Sequence, residues 1–458
     1  MRLIPFRENR GAVVALVALA ILAAACGTRV EGTSSPTRVV DDTPDGGSGP
    51  KVSKREGPSD PGVTDTEIRI GSSGPLSGVL AFAGSEAFGS IDAYFSLVNS
   101  RGGVNGRKLK LISYDNRMDV TIDLSNIRKL YEEDKVVSML LLFADSVGDY
   151  VSRHKIPSLV FGVTPDAFAS KWPTVYPLVG NALLWTQEVI AATKELKVFK
   201  DGMRVAILYD SQILNTARYI PFMKQSWESQ GAKVVTTDVM NFGDGDCTSL
   251  VLKVRDLKID WWDFQGLGWV LCASAAQRQG YKPNIGWGSW ATSVGGLASQ
   301  VGPWVDGMWG GAQGDKPTGA PRFDEPQEAH KEYVEAMRKY HPDLSTEAHL
   351  ESPVTIGYWT GAKLLVEAIR AQGKTVTMAG INEWIANVKN FETGITPPVI
   401  SMAPKCKTGS ELVWVGRWKW DAAKRLATRQ PETGFISSPQ KDLFGGKCFL
   451  TKISDSFN

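Results

Sequence analysis

Val136–Phe143 reads VVSMLLLF, apolar at every position except Ser138. No polar residue alternates through the run, so neither face is built for water. It reads as a strand buried on both faces, as in parallel sheets covered by helices. Working outward, Thr121–Glu133 has the spacing of an amphipathic helix and Lys108–Tyr114 (KLKLISY) that of a strand. Before them, Ser85–Asn99 (SEAFGSIDAYFSLVN) reads as a helix and Glu67–Gly71 (EIRIG) as the first strand. Ser158–Phe161 (SLVF) extends the series as a fourth strand. Strands alternating with helices build βαβ units, and hence an α/β fold with a doubly wound parallel sheet.

The pattern then restarts. Arg204–Tyr209 (RVAILY), Lys233–Val239 (KVVTTDV) and Trp261–Gln265 (WWDFQ) read as strands, separated by helices near 215–230 and 248–257. Two such series imply two lobes. Residues 325–390 are helical, as Gln327–Tyr340, Ser352–Gln372 and Ile381–Asn390. They are too poor in strands for a third α/β domain and are expected to complete the first lobe. Open α/β sheets bind ligands beyond the carboxyl ends of their strands, where strand order reverses. Two lobes with facing carboxyl edges therefore enclose a cleft, the geometry of a clamshell binder closed by a hinge.

Composition narrows the function classes. The 458 residues are 43% hydrophobic and 22% charged, an ordinary globular balance. Lys and Arg number 51 against 49 Asp and Glu. Removing residues 1–25, with Arg2, Arg7 and Arg10 against Glu8, leaves 48 of each sign. No excess of phosphate-neutralising charge remains, which argues against a nucleic-acid partner. The chain's four histidines, His154, His330, His341 and His349, sit in polar segments that read as solvated helices or loops. No Gly-x-Ser-x-Gly, His-Glu-x-x-His or Cys-x-x-Cys occurs. A secreted hydrolase would lack its nucleophile elbow or zinc helix, and no metal or cofactor is expected.

The amino terminus directs export. A basic start is followed by an apolar run from Ala12 to Ala25 of 14 residues, too short to span a bilayer comfortably. It ends Ala23-Ala24-Ala25-Cys26-Gly27, which is similar to the lipobox of bacterial lipoproteins, with Leu22 one place further from the cysteine than usual. The resemblance implies a lipidated Cys26 and an extracytoplasmic protein anchored to the cell membrane. Residues 26–63, rich in Gly, Pro, Ser, Thr and Asp, read as a flexible tether. With Cys26 set aside, four cysteines remain, and an even number in an exported chain favours disulfides. Cys247 precedes one helix and Cys272 opens the next, each just after a predicted parallel strand. Adjacent strand ends bring such positions together, so Cys247–Cys272 is the expected pair and Cys406–Cys448 follows by exclusion.

Glu67–Gly78 (EIRIGSSGPLSG), Arg101–Lys110 (RGGVNGRKLK), Asp134–Phe143 and Phe391–Pro398 (FETGITPP) resemble the type I periplasmic substrate-binding proteins. The resemblance runs over about residues 64–425 and is nearest to the leucine/isoleucine/valine-binding group that feeds ABC importers. It implies two Rossmann-like lobes joined by three crossings, near Val179–Leu183, Gly307–Gly311 and Thr393–Pro398. Lobe one would comprise 64–181 plus 312–393, and lobe two 182–311 plus 394–458. It also implies pocket positions after successive strands: Ser72, Ser73 and Gly74; Ala144, Asp145 and Ser146; Val163 and Thr164. Amino-acid-binding members use Ala, Ser or Thr at the last of these to hold a ligand carboxylate. In lobe two they place an aromatic residue where this chain has Leu214, and an acid near its Trp290. A branched-chain amino acid would lose the partner of its ammonium group there.

Tryptophan is concentrated in the same region, with seven of 15 between Trp261 and Trp309. Trp261 and Trp262 read as strand core. Trp287 and Trp290 lie in a Gly-rich loop (WGSW) and are expected to present rings to the cleft, where they would suit aromatic, cyclic, sugar-like or quaternary ammonium ligands. The function expected is capture of a small-molecule ligand and its delivery to ABC permease subunits, with no reaction catalysed. The alternative is a receptor of the same fold that signals to a membrane partner.

Overall fold

The structure, a computed structural model, describes residues 49–50, 52–53, 55–78, 80–162, 164–211, 216–241, 243–312, 328–437 and 441–457. Residues 1–25, read from the sequence as a signal segment, Cys26, Val163 and Leu214 lie outside them. In lobe one the alternation read from the sequence runs β1 (Glu67–Gly74), α1 (Ala81–Ser100), β2 (Lys108–Asp115), α2 (Val120–Glu132), β3 (Ser138–Leu141), α3 (Gly148–Arg153), β4 (Ser158–Val160) and β5 (Val175–Pro177). The strands form one parallel sheet in the order β2-β1-β3-β4-β5, with every residue of β3 and β4 buried. After α1 the chain turns through Gly102 and Gly103, at φ +100° and +78°. A Cβ on Gly103 would come within 2.0 Å of the Arg107 carbonyl oxygen, so only glycine fits the turn.

Lobe two repeats the plan with α4 (Ala182–Glu195), β6 (Arg204–Tyr209), α5 (Ile220–Glu228), β7 (Lys233–Val239), α6 (Thr248–Asp256), β8 (Trp261–Gln265), α7 (Trp269–Arg278), β9 (Gly286–Trp287), α8 (Gly295–Val301) and β10 (Trp309–Ala312). Strands β7-β6-β8-β9 are parallel in that order. Trp261 and Trp262 are strand core, at 0% and 1% exposure. Trp227 lies 5.7 Å from Trp261 by ring centroids and donates to Asp263 Oδ2 at 2.7 Å. Cys247 and Cys272 are bonded, with Cα atoms 4.8 Å apart, and join α6 to α7.

The helices α9 (Glu328–Tyr340), α10 (Glu347–Leu350), α11 (Pro353–Arg370) and α12 (Met378–Ala386) follow, and α9 and α11 pack on α1 of lobe one. Trp359 is the centre of that layer, with Tyr94 and Tyr333 edge-on at 4.9 and 5.0 Å. The Tyr358 hydroxyl donates to the Leu141 carbonyl, fixing α11 to β3. The end of the segment read as a tether is held down here. Ser53 and Arg55 bond Glu383 at 2.8 and 2.9 Å, and Asp60 Oδ2 accepts from Met378 N at 2.7 Å. Residues 53–60 are thus fixed to lobe one, because α12 offers them a carboxylate and a helix N-terminus.

The remainder is antiparallel: β11 (Lys389–Phe391), β12 (Val399–Ala403), β13 (Cys406–Ser410), β14 (Trp414–Asp421) and β15 (Leu426–Pro431), then α13 (Phe449–Asp455). This stretch, expected in lobe two from 394 onward, divides between the lobes. The β12–β13 hairpin lies on lobe one, where buried Lys407 donates to the carbonyls of Ala169 and Trp172 at 2.7 and 2.8 Å. The chain reaches lobe two only past Ser410, where β14 pairs with β10 and β15. Helix α13 and the residues that follow it touch both lobes, through Asp455 to Ser170 N at 2.7 Å and Phe457 to Tyr219 at 6.0 Å. The Cys406–Cys448 bond ties its base to β13, with Cα atoms 4.8 Å apart.

Candidate functional site

Strand order reverses between β1 and β3 in lobe one and between β6 and β8 in lobe two. The loops beyond these carboxyl ends are the place such sheets offer a ligand. In lobe one the hydroxyls expected to cradle it are already engaged. Ser72 donates to the Leu140 carbonyl at 2.5 Å. Ser73 and Ser146 donate to the two oxygens of Asp123, each at 2.6 Å, and Asn116 Nδ2 adds a third bond at 3.0 Å. Asp123, on the first turn of α2, is the acceptor that joins the end of β1 to the loop after β3. Gly74 closes β1 beside the Phe88 ring, and the buried Ala144 carbonyl accepts from Val147 and Gly148 to start α3.

Asp145 and Thr164 are placed differently. Asp145 is open to solvent, and no cation lies within ion-pair distance among the described residues. Loss of surrounding water, then the neighbouring carboxyl of Asp166, push its pKa up to about 7. Thr164 is wholly buried, and its Oγ1 has no partner at hydrogen-bond distance. Asp166 is buried too, and accepts from Arg218 Nη1 of lobe two at 3.2 Å. Arg218 follows β6 and Asp166 follows β4, so the two walls face one another here. Beside them Asn181, N-cap of α4 at the first crossing, donates to the Tyr219 hydroxyl at 2.6 Å.

The wall of lobe two is centred on Gln265, the last residue of β8. Its Nε2 donates to Thr186 Oγ1 and Asp263 Oδ1 at 2.7 Å and to Ser289 Oγ at 3.1 Å. Its Oε1 is buried without a partner. Burial pushes Asp263 up to about 6, against the bonds from Trp227, Ser289 and Gln265 that favour its charge. Trp290 is 5% exposed, and its indole N–H also lacks an acceptor.

Trp287 is not a cleft residue. It is buried in β9, its ring 5.4 Å from Trp304 and beneath the Lys282 ammonium at 4.6 Å. Lys282 lies in the loop leading into β9, at the end of the sheet away from the carboxyl edges. The histidines depart from their reading as well. His330 is 1% exposed and unpartnered, and burial pushes it down to about 4. His349 bonds buried Glu86 at 2.8 Å.

Asp123, Asp166, Arg218 and Gln265 are the residues of this region that sequence reasoning missed. Gln265 carried a usable signal, as the polar end of a strand otherwise read as core. The others are visible only once the loops are folded together.

Comparison with known proteins places this geometry. The profile of the family described as periplasmic binding protein matches residues 67–424. The chain belongs to this family. Among solved structures, this periplasmic binding protein is similar to a fatty acid ABC transporter substrate-binding protein from Thermomonospora curvata, with a TM-score of 0.71 and 19% identity over 85% of this chain and 97% of that one. It is also similar to a branched chain amino acid ABC transporter protein from Thermus thermophilus with bound valine, with a TM-score of 0.70 and 16% identity over 84% and 100%. These matches establish the two-lobed type I fold. Among curated proteins it is 24% identical over 234 residues to the "Leu/Ile/Val-binding protein homolog 7" of Brucella suis, covering 48% of this chain and 57% of that one. An "Amino acid binding protein" of Pseudomonas aeruginosa is 23% identical over 200 residues, covering 41% and 51%. The matched stretch spans about half the length of these curated relatives.

Proposed function

We propose that this periplasmic binding protein is a solute receptor. It takes a small polar organic molecule between its lobes and presents the closed form to the permease subunits of an ABC importer. The observation that carries the reading is the set of unpartnered buried polar atoms at strand carboxyl ends on both walls: Thr164 Oγ1 in lobe one, Gln265 Oε1 and Trp290 Nε1 in lobe two. Leaving a buried polar group unpaired costs about 1–3 kcal/mol, and these three stand where open α/β sheets offer a ligand. A ligand touching both walls would satisfy them together.

Closure then needs no chemical step. A molecule that bonds both walls binds the closed form more tightly than the open one, and that difference in affinity shifts the population. In this reading the lipid on Cys26 keeps the receptor at the membrane, and a chain around residues 27–52 gives it reach. Extracytoplasmic location accords with the family. Among the described residues no helix is long and apolar enough to cross a membrane.

A thermal-shift screen of the purified protein against amino acids, organic acids, amines, sugars and cyclic amides tests capture. A ligand at 100 times its dissociation constant adds about 2.7 kcal/mol, a rise of degrees in the midpoint. Silence across every class would count against the receptor reading. Mass spectrometry of the membrane fraction tests the anchor: a diacylglyceryl adduct lost in Cys26→Ala is expected, and an unmodified, secreted wild type would sink it.

A further inference from the structure

The last residues of the chain return it from lobe two to lobe one. Ile436 still belongs to lobe two, where its N–H donates to the Val413 carbonyl at 2.7 Å. Cys448 is bonded to Cys406, in the hairpin that lies on lobe one. The chain therefore passes between the lobes a fourth time, one more than the three crossings that the family resemblance implies. We propose that residues 441–457 are a strap that sets the resting angle of the cleft, fixed to lobe one and sliding on lobe two.

The kind of contact differs between the two sides. Toward lobe one the strap is held by the disulfide and by directional bonds. Lys407 N donates to Thr451 Oγ1 at 2.9 Å, and Ser170 N donates to Asp455 Oδ1 at 2.7 Å. Phe449 and Leu450, on the first turn of α13, are buried. Toward lobe two the strap presents rings. Phe457 lies 6.0 Å from Tyr219 and 5.9 Å from Phe222, and Phe444 lies 5.7 Å from Phe222, all edge-on. Edge-on ring contacts tolerate a displacement that the angular preference of a hydrogen bond does not. The strap therefore travels with lobe one while α5 moves beneath it.

Its place in the fold makes that contact matter for closure. The tip of the strap sits where the two walls meet, with the Arg218 guanidinium over the Phe457 ring at 5.9 Å. The same guanidinium reaches Asp166 of lobe one at 3.2 Å. Next to it, the Tyr219 hydroxyl accepts from Asn181 at the first crossing at 2.6 Å. Rotation of lobe two about that crossing must carry Tyr219 and Phe222 past Phe457 and Phe444. The rings are in contact at the angle seen here and lose contact as the angle opens. A segment that packs better at one angle than at others shifts the population toward that angle.

The test needs no ligand, so its failure is distinct from failure of the receptor reading. Phe457→Ala, Phe222→Ala and the double variant are compared with wild type, disulfides intact, by small-angle scattering and hydrogen exchange. Each single variant removes two ring contacts. Each should enlarge the radius of gyration and speed exchange about tenfold at residues 165–170 and 216–220. The double variant should fall short of the sum of the two, because the Phe457–Phe222 contact is shared. Exchange in β3 and β4 should stay as in wild type, which separates a loosened strap from a weakened fold. Scattering and exchange unchanged in both single variants overturn the inference. A radius enlarged as much by Cys247→Ala/Cys272→Ala, whose bond lies within lobe two, also overturns it, because the angle would then follow stability and not the strap.

Discussion

Arg218 Nη1 lies 3.2 Å from Asp166 Oδ1, and this pair ties the loop after β6 to the loop after β4 across the interlobe cleft. The carboxyl is 9% exposed and the guanidinium 42%. An ion pair open to water on one side is worth at most about 1 kcal/mol. Because its members belong to different lobes, that energy acts on closure rather than on the stability of either lobe. We therefore expect Arg218→Ala to enlarge the ligand-free radius of gyration in small-angle scattering. Ligand affinity should weaken by up to about fivefold with little change in melting temperature. An unchanged scattering curve together with unchanged affinity would dismiss the clasp.

The two disulfides should differ in what they hold. Cys247–Cys272 closes a sequence separation of 25 and Cys406–Cys448 one of 42. Loop entropy assigns them about 3.5 and about 4 kcal/mol. The first lies inside lobe two, whereas the second fastens α13, which with the residues that follow it touches both lobes. Replacing the first pair by alanine should lower the urea midpoint while leaving the lobes' relative motion as it was. Replacing the second should lower the midpoint and also speed hydrogen exchange in α13 and at Tyr219. Equal exchange in both variants would show that α13 is held by packing alone.

What the sequence disclosed follows its periodicity. Strands such as VVSMLLLF and WWDFQ announce themselves by unbroken apolar runs, and both parallel sheets were legible for that reason. The hairpins from Val399 onward were not, since β13 reads CKTGS, and its burial depends on Lys407 finding the Ala169 and Trp172 carbonyls, more than 230 residues away in the chain. The WGSW segment was misread for a related reason. Gly286 and Gly288 look like loop residues, yet a Cβ on the first would strike the Trp261 ring at 2.4 Å and on the second the Trp309 carbonyl at 2.1 Å. They permit close packing, and Trp287 is core as a result. At the cleft, Asp145 and Thr164 were placed by their position after strands, whereas the committed state of Ser73 and Ser146 required knowing where Asp123 lies.

Two histidines should give stability opposite dependences on pH. Buried His330 has a folded pKa pushed down to about 4, below its unfolded value near 6.5. The unfolded chain binds the extra proton between these values, so stability falls as pH drops from about 6.5 to 4, by up to about 3 kcal/mol. His349 is raised, chiefly by its hydrogen bond to Glu86. Its contribution is complete below pH 6.5 and disappears as pH rises through the higher folded value. Urea titrations from pH 4 to 8 should lose the acid slope in His330→Phe, and Glu86→Gln should lose stability mainly at the acid end. A single slope shared by wild type and both variants would refute the assignment.

Asp123 carries the last expectation, because it joins the cleft floor through bonds from Ser73, Ser146 and Asn116. The carboxylate is 7% exposed, so removing it strands three donors with little access to water. Asp123→Ala should cost about 2–4 kcal/mol on that account. Asp123→Asn keeps one acceptor oxygen and turns an N–H toward a hydroxyl that can accept, so roughly half the loss is expected. The functional consequence is the more telling one. Asp145 precedes Ser146 directly, and when the serine loses its anchor the carboxyl beside it loses its fixed position. Ligand affinity should then fall more steeply in Asp123→Ala than in Asp123→Asn, with faster amide exchange across residues 142–147. If affinity held while stability fell, Asp123 would be a packing residue of α2 with no part in shaping the cleft floor.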